Sequence, residues 1–423
     1  MKYVLGLVIL NYIISLAISH TSKWIRKISI VLAIIIDLGI LFIYKYLAFS
    51  ISVINDFFGT SLECKNRIMV VGLSFLTFTL ISYLVDVYYN RVSAPKNPIK
   101  FLVHILMFPR ILMGPITRYY ESSPTLDNSV LNPEDIGFGS KQFMAGMFKK
   151  IILADNLALL VNLVNETTDY SSVSICTLWL GSIAYSLQLF FDFSGYSDMA
   201  IGLARMLGYK FRANFNYPYC CNSFTDFWRR WHISLSLWFR DYIYIPLGGS
   251  RKSILRNIFN LLIVWILTGV WHGAGYNFIA WGIIYFVMLI IEKYIVKPNA
   301  LNKTFRIIWR IFTLIIINFN WVLFSHASFI KGISYLYGMI GGYNNVPFSA
   351  FDVRLLREYG IYLLLGAIFS VPIQQYIEDK ANKNKFASNI TEIAFPMLYA
   401  LLFIWALSFS ILATHNPFLY QNF

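Results

Sequence analysis

The sequence predicts an all-α, polytopic membrane protein with about ten to twelve membrane helices, some of them re-entrant or interfacial. Of the 423 residues, 57% are hydrophobic and only 13% are charged. Soluble domains carry about 25% charged residues, and a soluble fold of this size needs more polar surface than this composition supplies. Lipid must therefore cover much of the exterior.

Apolar runs of spanning length recur along the whole chain. Eight of them can each cross a hydrocarbon core of about 30 Å, namely residues 3–19, 28–49, 68–88, 143–164, 173–191, 307–325, 359–377 and 392–413. Four other runs are short or interrupted, and we expect re-entrant, tilted or interfacial helices at 101–117, 222–247, 257–271 and 276–291. The polar linkers are too short for a second domain, so residues 1–423 are predicted to form one integral membrane domain.

Charge and cysteine content exclude several other classes of protein. The net charge is +14, but the basic residues form short clusters between apolar runs instead of one basic face. This distribution indicates cytoplasmic loops and argues against nucleic-acid binding. By the positive-inside rule, two loops are cytoplasmic, with Lys23, Arg26 and Lys27 in one and Arg91, Lys96 and Lys100 in the other. Four cysteines without a CxxC pair predict neither a metal site nor a disulfide framework.

Residues 224–249 combine aromatic side chains with arginine, histidine and aspartate. On a helix, the three tryptophans would lie among apolar neighbours and the charged groups on other faces. The pattern predicts an interfacial or re-entrant helix whose polar candidates are His232, Arg240 and Asp241. The alternative is an anchor of tryptophan and arginine side chains at the level of the lipid headgroups.

A second segment, residues 267–278, separates two apolar runs that are each about 15 residues long and so rise only about 22 Å. Both outer ends are basic. We therefore expect a hairpin that enters from the cytoplasmic side and stops inside the membrane, with His272 at its tip and Trp271 and Asn277 as candidate substrate contacts. An ionisable group at such depth is a functional candidate; the alternative is a core histidine with satisfied hydrogen bonds.

Two carboxylates, Asp192 and Asp198, follow the run at 173–191. Unpaired carboxylates are costly in lipid, so each is expected to face a cavity or a partner such as Arg205 or Arg240. A structural ion pair and a contact with substrate both remain open.

Some familiar catalytic motifs are missing from the sequence. It contains no HExxH, no Walker A motif and no GxSxG, which removes support for proteolysis, ATP-driven transport and esterase chemistry. The turn at 248–252 bears Arg251 and Lys252. It either meets a phosphate group or is only a basic cytoplasmic loop.

Several of these segments closely resemble the membrane-bound O-acyltransferase superfamily, in particular its alginate and peptidoglycan O-acetyltransferase branch. The resemblance is carried by Asp192–Asp198, Asn214–Pro218, Phe227–Ser236, Arg240–Gly249, Gly269–Gly273, Trp321–Phe324 and Asn416–Phe423. It covers most of the chain. Members of the branch carry further hydrophobic segments upstream, so Met1 is expected to match an internal position of a longer relative.

The resemblance implies acyl transfer to a hydroxyl through a central pore, with no bound cofactor or metal. Its catalytic histidine matches His272 and its second polar position matches His232. A neutral imidazole can deprotonate an alcohol for attack on a thioester, so His272 would be the base, while His232 would orient it or polarise the carbonyl. The donor would be acetyl-CoA or an acylated carrier protein, and the acceptor an extracytoplasmic polysaccharide or an SGNH-type partner.

Two alternatives remain beside acetyl transfer. One is D-alanyl transfer to teichoic acid, although the segment at 242–251 looks more like the acetylating branch. The other is a transporter or lipid flippase, which also uses broken helices and buried polar groups. No inverted repeat is visible in the sequence, which counts against the transporter.

Overall fold

The computed structural model describes residues 2–64, 70–127, 131–167 and 169–412. Within these ranges the chain is built from helices and turns, with no β-strand. The all-α prediction is therefore confirmed. Met1 and the terminal segment Asn416–Phe423, both used in the sequence comparison above, lie outside the described residues.

Eighteen α-helices are described, and the bounds of each follow. They are α1 (Lys2–His20), α2 (Lys23–Leu41), α3 (Leu47–Phe58), α4 (Leu73–Tyr88), α5 (Pro98–Leu106), α6 (Tyr119–Asp127), α7 (Pro133–Met147), α8 (Asp155–Asn165), α9 (Ile175–Met206), α10 (Phe224–Arg230), α11 (Ile233–Phe239), α12 (Ile254–His272), α13 (Tyr276–Ile290), α14 (Lys303–Ser325), α15 (Phe329–Met339), α16 (Ala350–Phe369), α17 (Ile373–Ala381) and α18 (Lys385–Leu412). Four π-helical segments adjoin them, at Phe42–Tyr46, Phe148–Ala154, Arg240–Tyr244 and Ile291–Val296.

Six helical segments of the described ranges are long and apolar enough to cross a membrane, and α16 with α17 makes a seventh if this pair, bent by 54°, counts as one span. The six are Lys23–Phe58, Ile175–Met206, Ile254–His272, Tyr276–Ala300, Lys303–Ser325 and Lys385–Ile411. Shorter apolar helices lie at Val4–His20 and Leu73–Tyr88. The chain is a multi-pass membrane protein. The expected ten to twelve membrane helices included the short and interrupted runs, whereas six or seven helical segments of the described ranges reach spanning length. The central pore stays a prediction.

The predicted short hairpin around residue 272 is wrong in its dimensions. Both arms, Ile254–His272 and Tyr276–Ala300, reach spanning length. Each helix continues past polar residues at its end because the hydrogen-bonding groups of these residues find partners inside the protein. Asn257 and Asn260 each donate to the Gly249 carbonyl at 3.1 Å. Glu292 accepts hydrogen bonds from the backbone amides of Phe224 and Thr225, at 2.7 and 2.9 Å.

The predicted single helix across 222–247 is also wrong, because α10 and α11 are two helices of seven residues each. The chain turns between them at Trp231 and His232, and His232 has a left-handed backbone with φ of 44°. A non-glycine residue in this region costs about 1–3 kcal/mol and commonly marks a functional site. The break thus places His232 directly before the first turn of α11.

Glycines allow the closest helix approaches in the interior. On α7 and α9, a Cβ at Gly139 would lie 2.5 Å from the Gly202 carbonyl oxygen, and one at Gly146 would lie 2.6 Å from the Gly195 carbonyl oxygen. Small residues at such contacts let membrane helices approach backbone to backbone. Gly269 does the same between α12 and α13, where its Cβ would lie 2.5 Å from the Phe278 carbonyl oxygen.

Candidate active site

The two histidines named from the sequence are both buried, with His232 1% and His272 3% exposed. They meet at one aromatic side chain, Trp271. The ring centroid of Trp271 lies 6.0 Å from that of His232 and 4.6 Å from that of His272. The structure therefore brings together side chains that are 40 residues apart in the sequence.

His232 is held by Asn214, a buried residue of the loop between α9 and α10. The Oδ1 atom of Asn214 accepts from the backbone amide of Ser234 at 3.1 Å and from its hydroxyl at 2.9 Å. The same oxygen lies 3.3 Å from Nδ1 of His232. Because this amide oxygen can only accept, Nδ1 carries the proton, and Nε2 of the neutral ring is an acceptor. That Nε2 atom is buried and has no hydrogen-bond partner among the described residues.

Trp271 packs on two rings of α4. Its indole is stacked on Phe78 with centroids 5.5 Å apart and meets Phe75 edge-on at 5.7 Å. Phe75 is also stacked on His232, at 6.1 Å. The indole Nε1 of Trp271 is buried and, within the described part of the chain, finds no hydrogen-bond acceptor. Among the described residues, an unpartnered donor and an unpartnered acceptor thus lie in one aromatic pocket.

His272 is the last residue of α12, and aromatic rings surround it. Its imidazole meets the rings of Trp281 and Phe324 edge-on, with centroids 4.8 and 5.1 Å away. Gly273 follows in extended conformation, and a Cβ at that position would collide with the ring of Phe278. The tight turn and the aromatic walls fix the position of the imidazole and exclude bulk water from it.

Lys45 belongs to the site but was not predicted. It lies in the π-helical segment Phe42–Tyr46, inside the span Lys23–Phe58. Its ammonium group donates to the backbone carbonyl of Trp271 and lies 5.8 Å from the centre of the Trp271 ring. The available signal was a lone cation within the apolar run 28–49, since ionisable groups within spans mark functional sites. π-Helical turns also occur frequently at such sites.

Asn277 connects the hairpin that carries His272 to α14. Its amide donates to the backbone carbonyl of His326 at 2.9 Å, and its side chain is buried. This bond connects the start of α13 to the end of α14. The predicted contact of Asn277 with substrate stays a prediction, and its observed contact positions the hairpin that carries His272.

The two carboxylates of α9 lie in ion pairs and not with the histidines. Asp192 is 2% exposed and pairs with Lys150 at 2.7 Å. Asp198 pairs with Lys149 at 2.6 Å and also accepts from the Gln142 amide at 3.1 Å. Both lysines belong to the π-helical segment Phe148–Ala154, which packs along α9.

The partners expected for these carboxylates were therefore wrong. Arg205 pairs with Asp135 at 2.8 Å, and Arg240 pairs with Asp241 at 2.6 Å. The expected ion pairs are present, but their cations are two lysines of the π-helical segment Phe148–Ala154 and not the two arginines. A role in substrate binding for the two carboxylates of α9 stays a prediction.

The other charged candidates lie at the opposite end of α11 from His232. Asp241 accepts from the buried Arg118 at 2.5 Å and from Arg240. Arg251 and Lys252 are exposed in the turn before α12, and neither forms an ion pair within the described ranges. In those same ranges no three histidine, cysteine or acidic side chains are arranged to hold a metal ion.

Comparisons with known proteins identify the relatives of this chain. A sequence model of the membrane-bound O-acyltransferase family matches residues 84–337. The chain is 38% identical over 329 residues to the probable alginate O-acetylase AlgI of Pseudomonas aeruginosa. The matched region covers 75% of this chain and 62% of that protein. The chain is 33% identical over 366 residues to the peptidoglycan O-acetyltransferase of Helicobacter pylori, covering 79% and 69%.

A further relative is the teichoic acid D-alanyltransferase of Bacillus subtilis, which is 30% identical over 277 residues, covering 62% of this chain and 69% of that protein. The chain spans about three fifths of the length of the first curated relatives it matches, with 62%, 59% and 63% of each covered. Both histidines, Trp271 and Asn214 lie inside the matched range 84–337. The extent of this match and the identities show that the chain belongs to the membrane-bound O-acyltransferase family.

Proposed function

We propose that this protein is a membrane O-acyltransferase that moves an acyl group, acetyl in the first instance, from a thioester donor to a hydroxyl group. The donor, acetyl-CoA or an acylated carrier protein, arrives at the face predicted to be cytoplasmic. The acceptor is an extracytoplasmic polysaccharide or an SGNH-type partner that completes the transfer. Residues 1–423 act as one integral membrane domain in this proposal.

One observation carries the proposal: among the described residues, a buried acceptor, Nε2 of His232, and a buried donor, Nε1 of Trp271, have no hydrogen-bond partner, and both groups belong to the ring cluster that also holds His272. Acyl transfer to an alcohol needs both kinds of group. The hydroxyl needs an acceptor to orient it and a base to take its proton, and the carbonyl oxygen needs a donor where negative charge develops.

The proposed roles follow from these atoms. His272 takes the proton of the attacking hydroxyl, as the family resemblance implies, and returns it to the thiolate that leaves when the C–S bond of the donor breaks. The hydrogen bond from Nδ1 of His232 to Asn214 leaves only an acceptor on its other nitrogen, which favours orientation of the hydroxyl or of His272 over polarisation of the carbonyl. The indole N–H of Trp271 then supplies the donor to the carbonyl oxygen. None of these steps requires a metal or a bound cofactor.

The relatives favour acetyl over D-alanyl as the group transferred. Proteins named as O-acetylases or O-acetyltransferases are 31–41% identical to this chain, against 30% for the D-alanyltransferases. Family membership likewise favours acyl transfer over the transporter or flippase. Arg251 and Lys252, exposed in the turn before α12, would steer an anionic donor by their charge.

The test replaces Trp271 by phenylalanine, which keeps a ring and removes only the N–H donor. Loss of one oxyanion donor lowers kcat by about 10² to 10³ and leaves KM nearly unchanged. The measurement is transfer of labelled acetyl from a thioester to polysaccharide by purified protein in lipid vesicles.

The matched control is Trp309→Phe. Trp309 also has a buried indole N–H that lacks a partner among the described residues, but it packs on Phe224 and Phe312, away from the histidines. We expect wild-type kcat for this control. Equal rates for the two variants would contradict the role of Trp271, and absence of transfer by the wild-type protein from any thioester would contradict the proposed function.

A further inference from the structure

Lys45 places a positive charge at the pocket of the two histidines. Its ammonium group donates to the backbone carbonyl of Trp271 and lies 5.8 Å from the centre of the Trp271 ring. The same ring centre lies 4.6 Å from that of His272 and 6.0 Å from that of His232. The ammonium group and both imidazoles therefore lie around one indole, whose N–H group is assigned above to the carbonyl oxygen of the donor.

Among the described residues, no carboxylate forms an ion pair with Lys45. The side chain nevertheless lies inside the span Lys23–Phe58, where an ionisable group is unfavourable and is a functional candidate. Asp192 and Asp198, the acidic residues predicted for the site, pair instead with lysines of the segment Phe148–Ala154. The positive charge of Lys45 therefore acts on any charged group of a substrate that enters the pocket.

The aromatic walls of the pocket could otherwise attract a cation. The face of an indole or phenol ring attracts an ammonium group within about 6 Å of its centre. The ammonium group of Lys45 lies 5.8 Å from the ring centres of both Trp271 and Tyr46, so it already fills this position. A second ammonium group beside the Trp271 ring would be repelled by the first.

The candidate acyl groups differ in charge. An acetyl group is neutral, whereas an aminoacyl group such as D-alanyl carries an α-amino group, which is cationic at neutral pH. With the carbonyl oxygen at the indole N–H of Trp271, the α-amino group enters the same ring cluster as Lys45. At a separation of about 6 to 10 Å and an effective dielectric constant of about 20, repulsion between two unit charges weakens binding roughly 10- to 100-fold.

We propose that Lys45 is a specificity-determining residue that excludes aminoacyl donors in favour of uncharged acyl groups such as acetyl. This inference rests on the proposed acyl transfer and names the class of acyl group for that same site. It goes beyond a role of Lys45 in positioning Trp271, because loss of a hydrogen bond alone weakens the binding of charged and uncharged acyl groups to the same extent.

The test uses two stable thioethers of pantetheine, the thiol-bearing part that both candidate donors share. S-(2-aminoethyl)-pantetheine carries an ammonium group where S-propyl-pantetheine carries a methyl group, so the two compounds differ in charge and hardly in size. Binding of each to the purified full chain in nanodiscs gives a ratio of two Kd values. The charged compound should bind the wild-type protein roughly 10- to 100-fold more weakly, and this ratio should fall by roughly tenfold in Lys45→Met.

Two further variants of the same residue separate its charge from its hydrogen bond. Lys45→Arg keeps the charge and should keep the wild-type ratio. Lys45→Gln keeps an N–H donor for the Trp271 carbonyl and removes the charge, so the ratio should fall as it does in Lys45→Met. The glutamine variant also keeps the test usable if loss of the hydrogen bond disturbs the fold.

Lys293→Met is the matched control. Lys293 also lies in a π-helical segment, 5.4 Å from the ring centre of an adjacent tyrosine, and donates to the uncharged Asn257 at 2.6 Å. It comes seventeen positions after the start of α13, a rise of about 25 Å from the end of the helix next to His272. Its removal should leave the ratio of Kd values at the wild-type level.

An unchanged ratio in Lys45→Met and Lys45→Gln would overturn the inference, as would an equal fall of the ratio in Lys293→Met. A parallel loss of affinity for both thioethers, with the ratio unchanged, would show a purely structural role and would overturn it too.

Binding needs no turnover, so this inference and the proposed function can fail separately. If the wild-type protein transfers acetyl groups and the ratio does not depend on Lys45, the inference fails and the proposed function stands. If the ratio depends on Lys45 and no thioester supports transfer, the proposed function fails and the charge selectivity of the pocket stands.

Discussion

Asn214 offers a strong test of how the histidine pocket is held together. Its Oδ1 atom accepts three hydrogen bonds, from Nδ1 of His232 and from the amide and hydroxyl of Ser234. All of these groups are buried, so Asn214→Ala leaves three donors without an acceptor. At a net value of about 1 kcal/mol per bond, we expect a loss of about 3 kcal/mol in the free energy of unfolding.

The same substitution should lower the rate of transfer. The side chain of Asn214 fixes the protonated nitrogen of the His232 ring and also binds Ser234 in the first turn of α11. Without it the imidazole can rotate or exchange its proton, and displacement of a positioned group by about 1 Å can reduce kcat about 10²-fold. The assay pairs unfolding in detergent with kcat for acetyl transfer in lipid vesicles.

Asn156→Ala separates the two effects. Asn156 is buried in α8 and donates to the carbonyls of Ile151 and Ile152, at 3.3 and 2.9 Å, but it does not contact either histidine. We expect a loss of about 2 kcal/mol in stability with wild-type kcat. If Asn214→Ala also retains wild-type kcat while losing stability, the role of Asn214 in positioning His232 is refuted.

Two further predictions concern the supports of His272. Lys45→Met removes the hydrogen bond to the Trp271 carbonyl and should lower kcat at least about tenfold with little change in KM. Lys45→Arg should keep most of the wild-type rate. Equal rates for the two variants would count against a role of the Lys45 charge in positioning Trp271 and His272. Gly269→Val should destabilise the fold by about 1–3 kcal/mol, because its Cβ meets the backbone of α13. Gly360 has open space around it, so Gly360→Ala should leave the stability of the fold unchanged. Similar unfolding midpoints for the two glycine variants would contradict the tight contact between α12 and α13.

The fold class could be predicted because it depends on composition and the length of apolar runs. The helix boundaries predicted from the sequence were wrong where polar residues continue a helix. The run predicted at 257–271 began at Asn257 and the run at 276–291 stopped before Glu292, yet the helical segments continue past both residues, since each finds partners on another segment. A one-dimensional hydropathy argument counts every such residue as exposed to lipid, and only the tertiary packing shows that its hydrogen bonds are satisfied.

Some residues of the candidate site could be predicted from the sequence and others could not. His232 and His272 could be named from the sequence because their motifs are specific and their ionisable groups lie within apolar runs. Asn214 and Lys45 were not named. Lys45 carries a signal as the lone cation of the run 28–49, but the role of either side chain depends on which distant segment it meets. Lys150 shows the same limit, because its position in a π-helical segment directs it to Asp192, which no spacing rule indicates.

The most direct test of the central claim is the turnover of His272→Ala in lipid vesicles with labelled acetyl thioester and polysaccharide acceptor. Removal of a general base lowers the rate by about 10² to 10⁴, and the account predicts a loss in this range with an unfolding midpoint close to wild type. A purified, folded variant that retained more than about a tenth of wild-type turnover would contradict the claim that His272 is the base.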